Sequence, residues 1–155
     1  PWASFLYFLG NDSLYHLTNR DMSKTHEVDA ISGSFFLTKK SVLNKVGLFD
    51  EDYGMYAEDL DLCFRIKKTG FKIMYVPKSI IWHKNAGSAG GSGSLLQDYY
   101  ISRNRLIFGM RFAPIRAKFS LLRESLKILL TGRYWQKRGV LDYYLENLNK
   151  GSYSI

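Results

Sequence analysis

Cysteine is nearly absent. Cys63 is the only one in 155 residues, so no intrachain disulfide can form, and a reducing compartment is expected. Long apolar runs are missing too: no stretch reaches the roughly 18 residues needed to span a bilayer. Two signatures of phosphate and metal binding are also lacking. No glycine-rich loop follows an opening strand, and no Asp-x-Asp segment stands ahead of the acidic cluster at 50–61. Asp59-Leu60-Asp61 has that spelling, but it falls within an expected helix. Residues i and i+2 of a helix point about 200° apart and cannot chelate one ion together.

What is present is a globular composition. With 46% hydrophobic and 23% charged residues, the chain can bury a core and is not of the disordered class. Its length fits one domain or a piece of a larger one. Aromatics reach 15%, which suits cores and sugar-binding faces alike. The net charge of +8 is placed unevenly: residues 1–94 carry 11 Lys/Arg and 10 Asp/Glu, residues 95–155 carry 11 and 4. A basic C-terminal third attracts phosphates, anionic lipid or nucleic acid without choosing among them, and a solvated helix face is the plain alternative.

The local pattern predicts a strand over 28–37 interrupted at Gly33, and a short helix over 39–46 closed by Gly47. A second helix is predicted over 58–69, with carboxylates in its first turn, Lys67 and Lys68 in its last, and Gly70 as its stop. Residues 71–76 alternate as a strand, 80–83 form a short extended run, and 86–94 read as a flexible Gly/Ser loop. Three helices are predicted after it, over 95–112, 115–130 and 134–149. Strand, helix, strand, then helices indicates an α/β class.

One set of residues carries chemistry. Gly33-Ser34-Phe35-Phe36 and Val46-Gly47-Leu48-Phe49-Asp50-Glu51 are followed by Tyr56-Ala57-Glu58-Asp59-Leu60-Asp61-Leu62-Cys63-Phe64-Arg65. Gly70, Tyr75-Val76-Pro77 and Trp82-His83 continue the series. In order and spacing this resembles the C-terminal half of family 2 glycosyltransferases, which have the GT-A (Rossmann-like) fold. It looks most like the branch that builds bacterial surface polysaccharides, rhamnosyltransferase-like members included. The resemblance covers roughly residues 28–108.

It implies that residues 1–94 are the acceptor-side part of a GT-A catalytic domain, with the nucleotide-binding half absent, and that 95–155 form a helical C-terminal region. The implied activity is an inverting transfer from a nucleotide-diphosphate sugar donor to a hydroxyl of a glycan or lipid-linked acceptor; the chain alone is expected to turn over negligibly. Asp59 is implied as the general base with Glu58 beside it, because a hydroxyl becomes a competent nucleophile when a carboxylate removes its proton. Capping of a helix is the plain role for such a pair. Asp61 and Arg65, four apart, are read as support for Asp59.

Gly33 and Ser34 are implied to leave room for a sugar ring, with a strand bulge as the plain reading. Tyr56 and Trp82 are stacking candidates, with core packing as their alternative. Arg103 and Arg105, beside Tyr99 and Tyr100, are implied to meet donor or acceptor phosphates, or else to lie on a solvated helix. His83 is implied as a ligand of a divalent cation, Mn²⁺ or Mg²⁺, whose remaining ligands lie in the missing half; imidazole suits Mn²⁺ better.

The helices of 95–155 are read first as packing elements, for the domain or for a homo-oligomer, and second as a peripheral membrane contact. A cytoplasmic place, on the inner face of the plasma membrane where peripheral, is the matching expectation. The competing function is a non-catalytic basic module binding an anionic membrane surface or nucleic acid. Nucleic acid is disfavoured by the acidic cluster at 50–61.

Overall fold

The computed structural model describes residues 21–82 and 94–153. They form two compact units, 21–49 with 59–82 and 50–58 with 94–153. The segment 50–58 therefore joins the C-terminal helices rather than the N-terminal part in which the expected division at residue 94 placed it.

In the first unit β1 (His26–Val28) pairs antiparallel with β2 (Ile73–Tyr75), in register Val28 opposite Ile73. α1 spans Lys40–Val46 and ends at Gly47, whose φ of 87° suits a residue without Cβ. α2 spans Glu58–Lys68, and Gly70 again turns left-handed at its end. Leu62, Cys63 and Ile66 on α2 meet Val28 and Ile73, and Val42, Leu43 and Val46 of α1 pack against that core. Lys67 draws α2 onto β1 through Asp29 (2.5 Å) and the Val28 carbonyl (3.4 Å).

The predicted strand over 28–37 shrinks to its first residue and extends backwards to His26. Pairing ends at Val28 opposite Ile73, and beyond it the chain turns at Gly33 and Ser34. A strand without a partner leaves its amides and carbonyls unpaired, so the hydrophobic run folds instead as a loop over the core, with Ile31 and Phe36 packed on it. Residues 80–82 also lie outside any strand. The α/β expectation holds in a reduced form, since the described residues are mostly helical and contain one two-stranded sheet.

The second unit holds the 3-10 turn Glu51–Tyr53 and three helices: α3 (Leu95–Phe112), α4 (Ile115–Thr131) and α5 (Tyr134–Tyr144). Ser94 caps α3 by accepting from the Gln97 amide. Leu106, Leu121 and Val140, one from each helix, form the shared core. Two glycines set the spacing. A Cβ on Gly139 would strike the Tyr99 carbonyl, and one on Gly109 would strike the tip of Leu121.

α5 stops five residues before the predicted end. Glu146 turns left-handed (φ 55°), its amide donates to the Tyr143 carbonyl (3.2 Å), and the Asn147 amide donates to Asp142 (2.9 Å). That is a Schellman-type ending with glutamate at the position glycine usually fills. No helix of the described residues is long and apolar enough to cross a membrane.

Candidate active site

Asp59 stands in the first turn of α2. Its Oδ2 accepts from the Gly33 amide (2.8 Å), and its Oδ1 accepts from the Leu60 amide (2.8 Å). Two amides thus fix the orientation of the carboxylate, while each oxygen keeps a lone pair for another proton. Gly33 lies close: a Cβ there would sit 3.4 Å from the Asp59 Cβ. The structure therefore brings together two residues 26 apart that sequence reading had assigned separately, one to the base and one to space for a sugar. Half-buried Glu58 opens the helix, and Ser34 is exposed with its hydroxyl 3.0 Å from that of Ser32.

Asp61 points elsewhere, as helical phase requires. It is buried under Arg65, whose Nε donates to it at 2.5 Å while Nη1 and Nη2 donate to the carbonyls of Val46 (2.6 Å) and Leu48 (2.7 Å). Arg65 so binds the end of α1 to the helix that carries Asp59. One turn further in, Cys63 is wholly buried; burial pushes its thiol pKa up, and the charge of Asp59 adds to the rise.

In the second unit the chain just ahead of Glu58 is tightly held. Gly54 (φ 64°), Tyr56 (φ 67°) and Ala57 (φ 70°) are all left-handed, which costs a non-glycine residue about 1–2 kcal/mol. Asn104 Nδ2 donates to the carbonyls of Tyr53 (2.8 Å), Met55 (2.6 Å) and Tyr56 (2.8 Å). Arg103 Nη2 donates to Tyr53 (2.7 Å) and Asn149 (2.7 Å), and its Nε reaches Asn104 Oδ1 (3.0 Å). Arg111 pairs with Asp50 and with Asp52 (2.7 Å), and stacks 5.5 Å from the Tyr53 ring centre.

The other expected site residues fall as follows. Arg103 is 0% exposed, and its guanidinium is spent on backbone carbonyls rather than turned towards a phosphate. Arg105 of α3 lines a groove of about 730 Å³ among α3, α4 and α5, which Arg123 and Lys127 of α4 also line, and it pairs with Glu124 at 2.5 Å. Tyr56 is half-buried against Leu96, Tyr99 and Tyr100. Trp82 is 99% exposed, open to a stacking partner and far from the expected alternative of core packing. His83 and the Gly/Ser loop up to residue 93 lie outside the described residues.

Asn104 stands between the two arginines singled out in the sequence but carried no role there, although its phase was visible. Leu96, Tyr99, Tyr100, Arg103, Asn104 and Ile107 recur at helical spacing and share the buried face of α3. Among the described residues, no group of three or more His, Cys, Asp or Glu comes together that would hold a metal ion.

Comparison with known proteins gives one family. The model of "Glycosyltransferase like family 2" matches residues 5–109. An N-acetylglucosaminyl-diphospho-decaprenol L-rhamnosyltransferase of Mycobacterium tuberculosis is 45% identical over 60 residues, covering 39% of this chain and 20% of the relative. Rhamnosyltransferase WbbL of Escherichia coli is 46% identical over 50 residues, 32% of this chain and 19% of the relative. A poly-beta-1,6-N-acetyl-D-glucosamine synthase of Staphylococcus aureus is 26% identical over 132 residues, 77% of this chain and 32% of the relative. The chain thus spans between a fifth and a third of the length of these curated relatives. No solved structure matches.

Proposed function

Because this chain belongs to the glycosyltransferase-like family 2, we propose that it is the acceptor-side part of an inverting transferase of surface-polysaccharide synthesis, with Asp59 as its base. The donor is a nucleotide-diphosphate sugar and the acceptor a hydroxyl of a glycan or lipid-linked glycan. The rhamnosyltransferases among its relatives favour that class of reaction.

The carboxylate of Asp59 takes the proton of the acceptor hydroxyl as that oxygen bonds to the anomeric carbon. The bond from that carbon to the diphosphate breaks on the opposite face, and the nucleoside diphosphate leaves with the electron pair. One displacement inverts the centre. The observation that carries this reading is the double amide contact to Asp59, which holds a carboxylate in one orientation in the first turn of a helix without using up its lone pairs. Exposed Trp82 is our candidate for stacking on a sugar face. Arg105, on its groove wall, is the candidate for a phosphate contact.

The family generally uses divalent cations, which neutralise a departing diphosphate. Among the described residues no cluster supplies such a site, and His83, its expected ligand, falls outside them.

The test is Asp59→Asn in a protein that carries the complete catalytic domain, assayed with a panel of nucleotide-sugars. Asparagine keeps the shape and an oxygen for the Gly33 amide but is no base. Turnover is expected to fall roughly 10²–10⁴-fold with folding and donor affinity preserved. A variant that keeps its rate removes Asp59 from the mechanism.

A further inference from the structure

α4 has two apolar faces, where packing needs one. Ala117, Leu121 and Ser125 are buried inwards, Leu121 in the core shared with Leu106 and Val140. Ile115, Phe119, Leu122, Leu126 and Leu130 are 38–70% exposed. At about 100° per residue these five fall within an arc of roughly 80°, centred about 140° away from the buried face. They form an outward stripe that adjoins the core rim at Leu129 and turns away from it.

Charge says what kind of surface would cover it. Arg116, Arg123 and Lys127 follow one edge of the stripe and Lys118 the other, while the helix has one carboxylate, Glu124. Glu124 lies on the far side and is held by Arg105 at 2.5 Å.

We propose that this outer face of α4 is a docking surface for an anionic lipid bilayer. The helix lies in the interface plane, its five apolar side chains among the upper acyl carbons and its flanking cations at the headgroup phosphates. Long Lys and Arg stems suit that geometry, because the stem stays in apolar surroundings while the charge reaches outwards. A second copy meeting this one stripe to stripe would bring two rows of like charge together. Nucleic acid would leave the apolar stripe in water. The proposal does not depend on the transfer reading, since it concerns vesicle binding, which needs neither donor nor Asp59.

The experiment is co-sedimentation of the 155-residue chain with vesicles of equal parts phosphatidylglycerol and phosphatidylcholine, and with phosphatidylcholine alone. Binding to the anionic vesicles that weakens with salt is expected. The double substitution Phe119→Gln, Leu126→Gln alters exposed positions only; it is expected to keep the circular dichroism spectrum and to bind at least roughly tenfold more weakly. Arg116→Gln with Arg123→Gln is expected to lower affinity and flatten the salt dependence. Equal binding to both vesicles, or anionic binding that survives the double substitution in the stripe, overturns the proposal. A dimer in sedimentation that the same double substitution dissolves, without vesicle binding, would give the face to a second copy instead.

Discussion

At the scale of single residues, Asn104 shows how a buried amide can hold a strained turn. Three carbonyls, of Tyr53, Met55 and Tyr56, converge on its Nδ2, and two of the next residues in that turn sit at positive φ without being glycine. Removing the amide takes this donor from the Met55 and Tyr56 carbonyls, while the Tyr53 carbonyl keeps Arg103, a loss of roughly 1–3 kcal/mol for each group left unsatisfied. Asn104→Ala is therefore expected to destabilise the helical unit by about 2–5 kcal/mol, seen as a lower urea midpoint. If the midpoint moves by less than the error of the measurement, Asn104 does not hold the turn. The chain runs from that turn directly into Glu58 and Asp59. Asp59 was legible from its place in a run of spaced residues, whereas its partner Gly33 was legible only as a small residue. A hydrogen bond between positions 26 apart leaves no local trace.

At the scale of elements, the glycines of α3 and α5 oppose simple helix propensity. Alanine inside a helix usually gains about 1 kcal/mol over glycine. At Gly139 the added Cβ would instead meet the Tyr99 carbonyl, backbone that cannot turn aside. Gly139→Ala is expected to lower stability by roughly 1–3 kcal/mol despite the better propensity. Gly109→Ala meets the terminal carbon of Leu121, the end of a flexible side chain. Its net effect is expected within about 1 kcal/mol of zero. Thermal melts of the two variants side by side test this, and equal shifts would mean the two contacts do not differ as described. Helix starts were predicted well because capping and dipole rules are local: Leu95–Phe112 is found as read. The end of α5 was not, because Glu146 at positive φ carries no sequence mark.

At the scale of the whole molecule, ionisation ties stability to pH. Asp142 is wholly buried; burial works against its charge, but hydrogen bonds from Tyr99 (2.5 Å) and the Ser152 amide (2.7 Å) overcome that and hold its pKa below the ordinary aspartate value. A depressed carboxylate contributes stability that is present above the unfolded pKa and lost as pH falls through the folded one. Burial first, and the bond to Asp142 second, push Tyr99 up to about 12 from 10.0. Its contribution is full below pH 10 and lost as pH rises towards 12. Melting temperature is thus expected to be flat near neutrality, to fall below the ordinary carboxylate range, and to fall again above pH 10. Tyr99→Phe should shrink the alkaline fall. An alkaline limb as steep in the variant would assign it to other tyrosines.

The amino-acid order by itself determined where the helices start, the stops at Gly47 and Gly70, the opposed directions of Asp59 and Asp61, and the kinship of the chain, because these rest on short-range phase and on the spacing of quoted residues. Tertiary structure alone decided which polar groups are consumed by the fold. Arg103 looked like a phosphate ligand and is held as a buried clamp, while the outer face of α4 looked like packing surface and is exposed among the described residues. Burial depends on what arrives from elsewhere in the chain to cover a side chain. For an arginine beside two tyrosines, that neighbour was a turn 50 residues away.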